Sequence, residues 1–93
     1  MIIRDGEGLV VAAQNKRWNY PLGAIEAEVK AWETGVLFAK DAGIRDAEFK
    51  GDSLMVCNVL QGLASPPTSV ANILASFLNH ASLLRQWKVS HIK

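Results

Sequence analysis

Residues 24–42 read AIEAEVKAWETGVLFAKDA and carry a clear helical pattern. At 3.6 residues per turn, the small and apolar side chains gather on one face of this segment and most charged ones on the other. Gly43 follows where a helix commonly ends in a left-handed residue. The pattern therefore predicts an amphipathic helix that packs on a sheet. Its predicted buried face comprises Ala24, Ile25, Glu28, Ala31, Trp32, Gly35, Val36, Phe38, Ala39 and Ala42.

The flanking sequence predicts strands and two further helices. Upstream, glycines in a short turn separate two apolar segments, which indicates a β-hairpin. Downstream, the spacing of apolar residues alternates between strand and helix periods. The predicted elements are strands at 2–3 and 9–13, a loop over 14–23, a strand over 47–51, a helix from Asp52-Ser53 to Gly62, a connector over 65–69, a helix over 70–84 and a strand over 87–92. The order ββ-α-β-α-α-β predicts one α/β domain over 1–93, with a sheet covered by helices.

Composition narrows the functional classes. The chain has 93 residues, a net charge of +1, 49% hydrophobic residues and 20% charged residues. This balance argues against a strongly basic protein that coats nucleic acid and against a disordered chain. No apolar run approaches the ~20 residues of a membrane span. Cys57 is the single cysteine, and the first residues, which turn charged at Arg4, show no signal-peptide pattern. We therefore expect an intracellular, reducing setting.

Glu28 is the ionised residue on the predicted apolar face. An unpaired buried carboxylate is costly, so Glu28 must be paired, protonated or bound to a cation. Alternatively, the apolar face widens at its N-terminal end and Glu28 reaches water. The periodicity leaves both interpretations open.

Asp52 is the second candidate, because it lies where a strand leads into a helix. In open α/β sheets, ligands gather at the carboxyl ends of strands. Two alternatives remain open: Asp52 caps the helix, or it pairs with Lys50, which shares its strand face. Together with Glu28, Asp52 could hold one Mg²⁺, which accepts a few carboxylate oxygens and keeps waters. Two-metal sites usually recruit more acidic ligands than these two.

Four stretches give the chain a family resemblance: IIRDGEGLVVAA, AIEAEVKAWETGVLFAKDAGI, FKGDSLMVCNVLQG and WKVSHIK. The most specific pieces are Ala27-Glu28-x-x-Ala31 with Gly35, and the motif D-S-L-x-V over 52–56. In this order they resemble the type-1 ribonuclease-H-like domain of plant non-LTR retroelement reverse transcriptases. The resemblance implies a five-stranded mixed sheet flanked by helices. It also implies metal-dependent endonucleolytic hydrolysis of the RNA strand of an RNA–DNA hybrid.

The resemblance assigns roles to three residues of this chain. Glu28 and Asp52 match carboxylates that bind Mg²⁺ (or Mn²⁺) in the family. His91 matches the histidine that opens the family's H-x-x-R-x-x-N motif, which is linked to catalysis or product release. The resemblance gives His80 no role, and we expect it on a helix flank.

Departures from the family pattern predict weak or absent catalysis. Against the family pattern, we expect the first, central strand with its catalytic Asp to be missing, and at the other end the fourth carboxylate and the C-terminal helix. Two of the family's four metal-binding carboxylates would then be absent. Lys50 stands where the family often has an acidic residue. The alternative is a non-catalytic interaction or dimerisation module, a domesticated retroelement fragment that self-associates through exposed sheet edges. Residues that could contact nucleic acid are scattered: Arg4, Lys16, Arg17, Trp18, Lys88 and Lys93.

Overall fold

A computed structural model of the chain describes residues 1–13 and 24–92. The predicted loop over 14–23 and the terminal Lys93 lie outside these residues. The described elements confirm the α/β class and the predicted order. They are β1 (Ile2–Asp5), β2 (Val10–Ala13), α1 (Ala24–Asp41), β3 (Asp46–Gly51), α2 (Leu54–Leu60), a 3₁₀ turn (Thr68–Val70), α3 (Ala71–Ala81) and β4 (Gln86–His91).

The four strands of the described chain form one mixed sheet in the order β2-β1-β3-β4. β1 runs antiparallel to both of its neighbours, and β4 runs parallel to β3. The β1–β2 turn is closed by Asp5, whose Oδ1 accepts hydrogen bonds from the amides of Glu7 (2.9 Å) and Leu9 (3.0 Å). Gly8 completes the turn at a φ of 82°, a value that glycine adopts without strain.

β1 pairs directly with β3, at the position where the family has its central strand. Within residues 1–13 and 24–92, no strand lies between the hairpin and β3, as the sequence predicted. The additional exposed edges expected from the loss of that strand are not found in the described sheet, because β1 itself pairs with β3, with Ile3 opposite Phe49. β1 can do so because its backbone offers hydrogen-bonding groups on both of its sides. The described sheet therefore has only its two ordinary edges, β2 and β4, and no additional one.

The β4 edge is partly covered by the side chain of Gln61, the C-cap residue of α2. The amides of Gln86 and Ile92 donate to Arg45 and Gly51, so the even-numbered residues of β4 turn their backbone toward β3. Val89 consequently turns its carbonyl outward, where Gln61 Nε2 donates to it at 2.8 Å. A covered carbonyl cannot accept a bond from an added strand, which weighs against self-association along β4.

The core lies on one face of the sheet, under α1 and α3. Four side chains of α1, spaced three or four residues apart, are completely buried: Val29, Trp32, Val36 and Ala39. Phe77 of α3 makes edge-to-face contacts with the rings of Trp32, Phe49 and Trp87. The buried stripe of α1 is thus narrower than predicted. Phe38 is 42% exposed and Ala42 is exposed, whereas Val29, missing from the predicted face, lies in the core.

α3 is shorter than the predicted helix over 70–84. The 3₁₀ turn over Thr68–Val70 precedes it, and its last helical residue is Ala81. Beyond Ala81, the amides of Leu83 and Leu84 bond three residues back, to His80 and Ala81, which tightens the chain toward β4. Leu84 still reaches the core at 8% exposure. His80 lies on the flank of α3, as predicted, with Nδ1 at 3.1 Å from Lys40 Nζ.

The opposite face of the sheet is charged. Strand alternation places Arg4, Glu48 and Lys88 there, in register across β1, β3 and β4. Burial alone would raise the pKa of Glu48, but hydrogen bonds from Ser90 and Lys88 and the charge of Lys50 hold it below its usual value. Among the helices described, none is long and apolar enough to cross a membrane.

Two glycine substitutions should have opposite effects on stability. A Cβ at Gly51 would overlap the rigid Trp32 ring, with Cε2 only 3.0 Å away, so Gly51→Ala should lower the free energy of unfolding by about 1–3 kcal/mol. A Cβ at Gly35 would meet mainly the flexible end of Met1. Because Gly35 is inside α1, Gly35→Ala should be neutral or stabilising by up to about 1 kcal/mol. Urea unfolding measures both; equal midpoints for the two variants would contradict this packing.

Candidate metal and nucleic-acid site

The predicted carboxylate of Asp52 lies between β3 and α2 and is not used as a helix cap. β3 ends at Gly51, and α2 begins at Leu54. Ser53 is the N-cap, with its Oγ accepting from the amide of Val56 at 3.3 Å. The capping role considered for Asp52 is therefore wrong. A serine cap leaves the exposed side chain of Asp52 available at the carboxyl end of β3.

The alternative pairing of Asp52 with Lys50 is also not observed. Lys50 lies on the charged sheet face, between Ile2 and Ser90 of the neighbouring strands. No ion pair within residues 1–13 and 24–92 joins the two side chains. The cation of β4 that does pair with β3 is Lys88, whose Nζ lies 3.3 Å from Glu48.

The carboxylate of Glu28 accepts a hydrogen bond from a core side chain instead of extending freely into water. It lies on the second turn of α1 with intermediate exposure, so the expectation that it simply reaches water is incomplete. Its Oε1 accepts a hydrogen bond of 3.1 Å from the indole Nε1 of Trp32, one helical turn later. Trp32 is completely buried, so its indole fixes one oxygen of the carboxylate against the protein interior.

His91 lies beside Asp52, where the parallel strand register brings it. Gly51 of β3 is opposite His91 of β4, the last residue of that strand. His91 Nε2 lies 3.1 Å from the backbone oxygen of Asp52. When Nε2 carries the proton, it donates to that oxygen. The imidazole is exposed and therefore accessible to a bound ligand.

Cys57 is a buried thiol whose pKa is affected by both carboxylates. This residue of α2 is 1% exposed, and its thiol donates to the backbone oxygen of Ser90 at 3.6 Å. Burial raises the pKa of the Cys57 thiol, and the negative charges of Glu28 and Asp52 raise it further. The indole of Trp32, which bonds Glu28, lies against the last residue of β3, directly before Asp52, so both carboxylates lie near the carboxyl end of β3.

The donors fit a water-rich cation site better than a two-metal centre. Within the part of the chain that the structure describes, no three His, Cys, Asp or Glu side chains are grouped to hold a metal ion. Ile3 of β1 and Met1 before it lie next to α1, and these side chains carry no oxygen ligand. Mg²⁺ can be held by two carboxylates and waters. Glu28 and Asp52 are the residues that would hold it.

Trp32 and Cys57 complete the site and were not singled out from the sequence. A signal for Trp32 was present, because a residue four positions after Glu28 lies directly above it on a helix. The indole has one donor, and a buried donor requires an acceptor. For Cys57 the helical spacing shows a buried position, but which sheet residues it faces depends on how α2 packs against β4.

The fold and the sequence identify the family. The Reverse transcriptase-like family model matches residues 1–93, so this chain belongs to that family. A search of curated proteins finds no match.

A solved structure shares this fold. It is the crystal structure of RNase H1 from the halophilic archaeon Halobacterium salinarum NRC-1, with a TM-score of 0.75 and 22% sequence identity. The match covers 98% of this chain and 69% of that chain. The domain therefore has a ribonuclease-H-like fold, as the resemblance predicted.

The shared neighbourhood of the two carboxylates predicts the titration of Cys57. Glu28→Gln and Asp52→Asn each remove a negative charge that opposes thiolate formation, so each should lower the pKa of the thiol. The ¹³Cβ chemical shift of Cys57, followed by NMR against pH, reports this pKa without a reagent that must reach a buried sulfur.

Glu33→Gln is the matched control, because Glu33 of the same helix interacts with Lys30 and Ser76 and is not among the groups that shift Cys57. It should leave the thiol titration unchanged. A shift in only one of the two site variants would show that the carboxylates do not share this neighbourhood.

Proposed function

We propose that this chain is a ribonuclease-H-like nucleic-acid-binding domain that binds RNA–DNA hybrids and holds one Mg²⁺ (or Mn²⁺) through Glu28 and Asp52. The observation that carries the proposal is that the Trp32 indole, which bonds Glu28 Oε1 at 3.1 Å, lies against the residue directly before Asp52, in a chain of the Reverse transcriptase-like family. This geometry supports a shared site for the two acids of the family motif, at the end of a strand where α/β proteins bind ligands.

The chain's own residues have distinct tasks in this site. Trp32 holds one oxygen of Glu28, and Asp52 presents its carboxylate from the short connection before α2. His91 lies next to Asp52, where Nε2 donates to the Asp52 backbone oxygen and the other ring nitrogen is left to exchange a proton with a substrate. A bound Mg²⁺ would supply charge stabilisation and activation of a water for phosphodiester hydrolysis.

We propose that hydrolysis by this chain is impaired. A two-metal centre stabilises both the attacking and the leaving oxygen, and it needs more ligands than Glu28 and Asp52. The described residues offer no third grouped donor, which supports this proposal. A poorly placed nucleophilic water loses the rate gain that proximity gives.

The finer family assignment is also a proposal. The motifs around Glu28 and over 52–56 support an origin in a plant non-LTR retroelement. The buried, unpaired Cys57 is consistent with a reducing, intracellular setting. A non-catalytic dimerisation module is less supported, because Gln61 covers part of the β4 edge.

Hybrid binding is expected to depend on both salt and divalent cation. Fluorescence anisotropy with a labelled RNA–DNA hybrid should give an affinity that falls as a power of salt concentration, because phosphate contacts release counterions. With Mg²⁺ present the affinity should rise in the wild type and not in Glu28→Gln or Asp52→Asn. Glu33→Gln should behave as the wild type. An affinity that does not respond to salt would contradict nucleic-acid binding through phosphates.

Cleavage of the same hybrid tests the impaired chemistry. With Mg²⁺ or Mn²⁺ we expect cleavage at least about 10²-fold slower than by an intact ribonuclease H, since misplaced reacting groups cost this much. Gel separation of the labelled RNA strand measures it. Rapid cleavage that Glu28→Gln abolishes would refute the impairment and show a competent site.

A further inference from the structure

The indole of Trp32 connects the core to the candidate site. The ring is completely buried and packs edge-to-face against Phe77, with ring centroids 5.8 Å apart and an interplanar angle of 78°. Its one polar atom, Nε1, donates to Glu28 Oε1 at 3.1 Å. A ring held on its apolar sides by the core has little freedom to turn, so the direction of its N–H is fixed.

The same ring also lies against the end of β3. A Cβ at Gly51 would be 3.0 Å from Cε2 and 3.3 Å from Nε1 of Trp32, so the indole edge is in close contact with the Gly51 backbone. Gly51 directly precedes Asp52. The indole Nε1 that bonds Glu28 therefore lies against β3, the strand that leads to Asp52. This close approach is possible because Gly51 has no side chain.

We propose that Trp32 is a positioning residue for the cation site: its indole N–H holds Glu28 Oε1 and leaves Oε2 available to a cation shared with Asp52. This proposal rests on the metal site of the proposed function and adds a residue to it. Side chains that orient a metal ligand by hydrogen bonding tune metal affinity by about 10–100-fold. Trp32 carries out this role from the interior, because its ring is completely buried and water does not reach its indole N–H.

The proposal gives a spectroscopic signature that a purely structural tryptophan lacks. A cation at Glu28 withdraws electron density from the carboxylate that accepts the indole bond. The indole ¹H–¹⁵N resonance of Trp32 should therefore shift during a Mg²⁺ titration, with the same midpoint as the backbone amide of Asp52. Trp87 also contacts Phe77, at 5.9 Å between centroids, but its indole is not bonded to Glu28. Its resonance is the internal control and should not follow that midpoint.

The affinity test uses Trp32→Phe, which keeps an aromatic ring in the core and removes the donor. The Mg²⁺ midpoint, read at the Asp52 amide, should rise by about tenfold. Phe77→Leu is the matched core variant, because it disturbs the packing around Trp32 and retains the indole N–H. It should keep a midpoint close to that of the wild type even where its urea midpoint falls.

The outcomes separate this inference from the proposed site. If Glu28→Gln weakens Mg²⁺ binding and Trp32→Phe does not, the positioning role is overturned and the metal site stands. If neither Glu28→Gln nor Asp52→Asn changes the titration, the metal site fails, and the positioning role with it. Where Trp32→Phe does not fold, the wild-type spectrum decides. An indole resonance of Trp32 that stays fixed while the Asp52 amide shifts overturns the proposal.

Discussion

The packing of Trp32 beneath the end of β3 is the constraint on which the rest of the structure depends. Its ring fills the space between α1, α3 and the sheet, and it contacts both Phe77 and the backbone at Gly51. This single side chain is therefore shared between the hydrophobic core and the candidate site. Any change that moves α1 along the sheet also moves Glu28 relative to Asp52, so the stability of the fold and the geometry of the carboxylates are coupled.

Most of the local structure follows from periodicity and turn chemistry, and the sequence alone predicts it. The 3.6-residue spacing over 24–42 predicts α1, and the glycines of the first turn predict the β1–β2 hairpin. Periodicity and turn residues do not predict that β1 pairs directly with β3, because strand pairing is a long-range choice between alternative partners. Similarly, Phe38 is apolar but exposed, since the centre of the buried stripe depends on how α1 is rotated on the sheet.

In the candidate site, too, local sequence patterns predict which residues take part, whereas long-range packing decides what each side chain contacts. The positions of Glu28, Asp52 and His91 could be selected from motifs, but the motifs did not say how each side chain is used. The cap at Ser53 instead of Asp52 is a choice between two adjacent residues that both cap well. The indole bond to Glu28 and the place of Cys57 follow from side-chain directions and helix packing. These are set by tertiary contacts rather than by the order of residues.

The central claim is that Glu28 and Asp52 share one divalent cation at the carboxyl end of β3. Anomalous scattering from Mn²⁺ soaked into crystals of the chain tests it most directly, because the signal locates the ion without assumptions about its ligands. We expect one Mn²⁺ with oxygens of both carboxylates in its coordination shell and waters completing the rest. Full Mn²⁺ occupancy elsewhere in the molecule, with no peak between these two carboxylates, would contradict it.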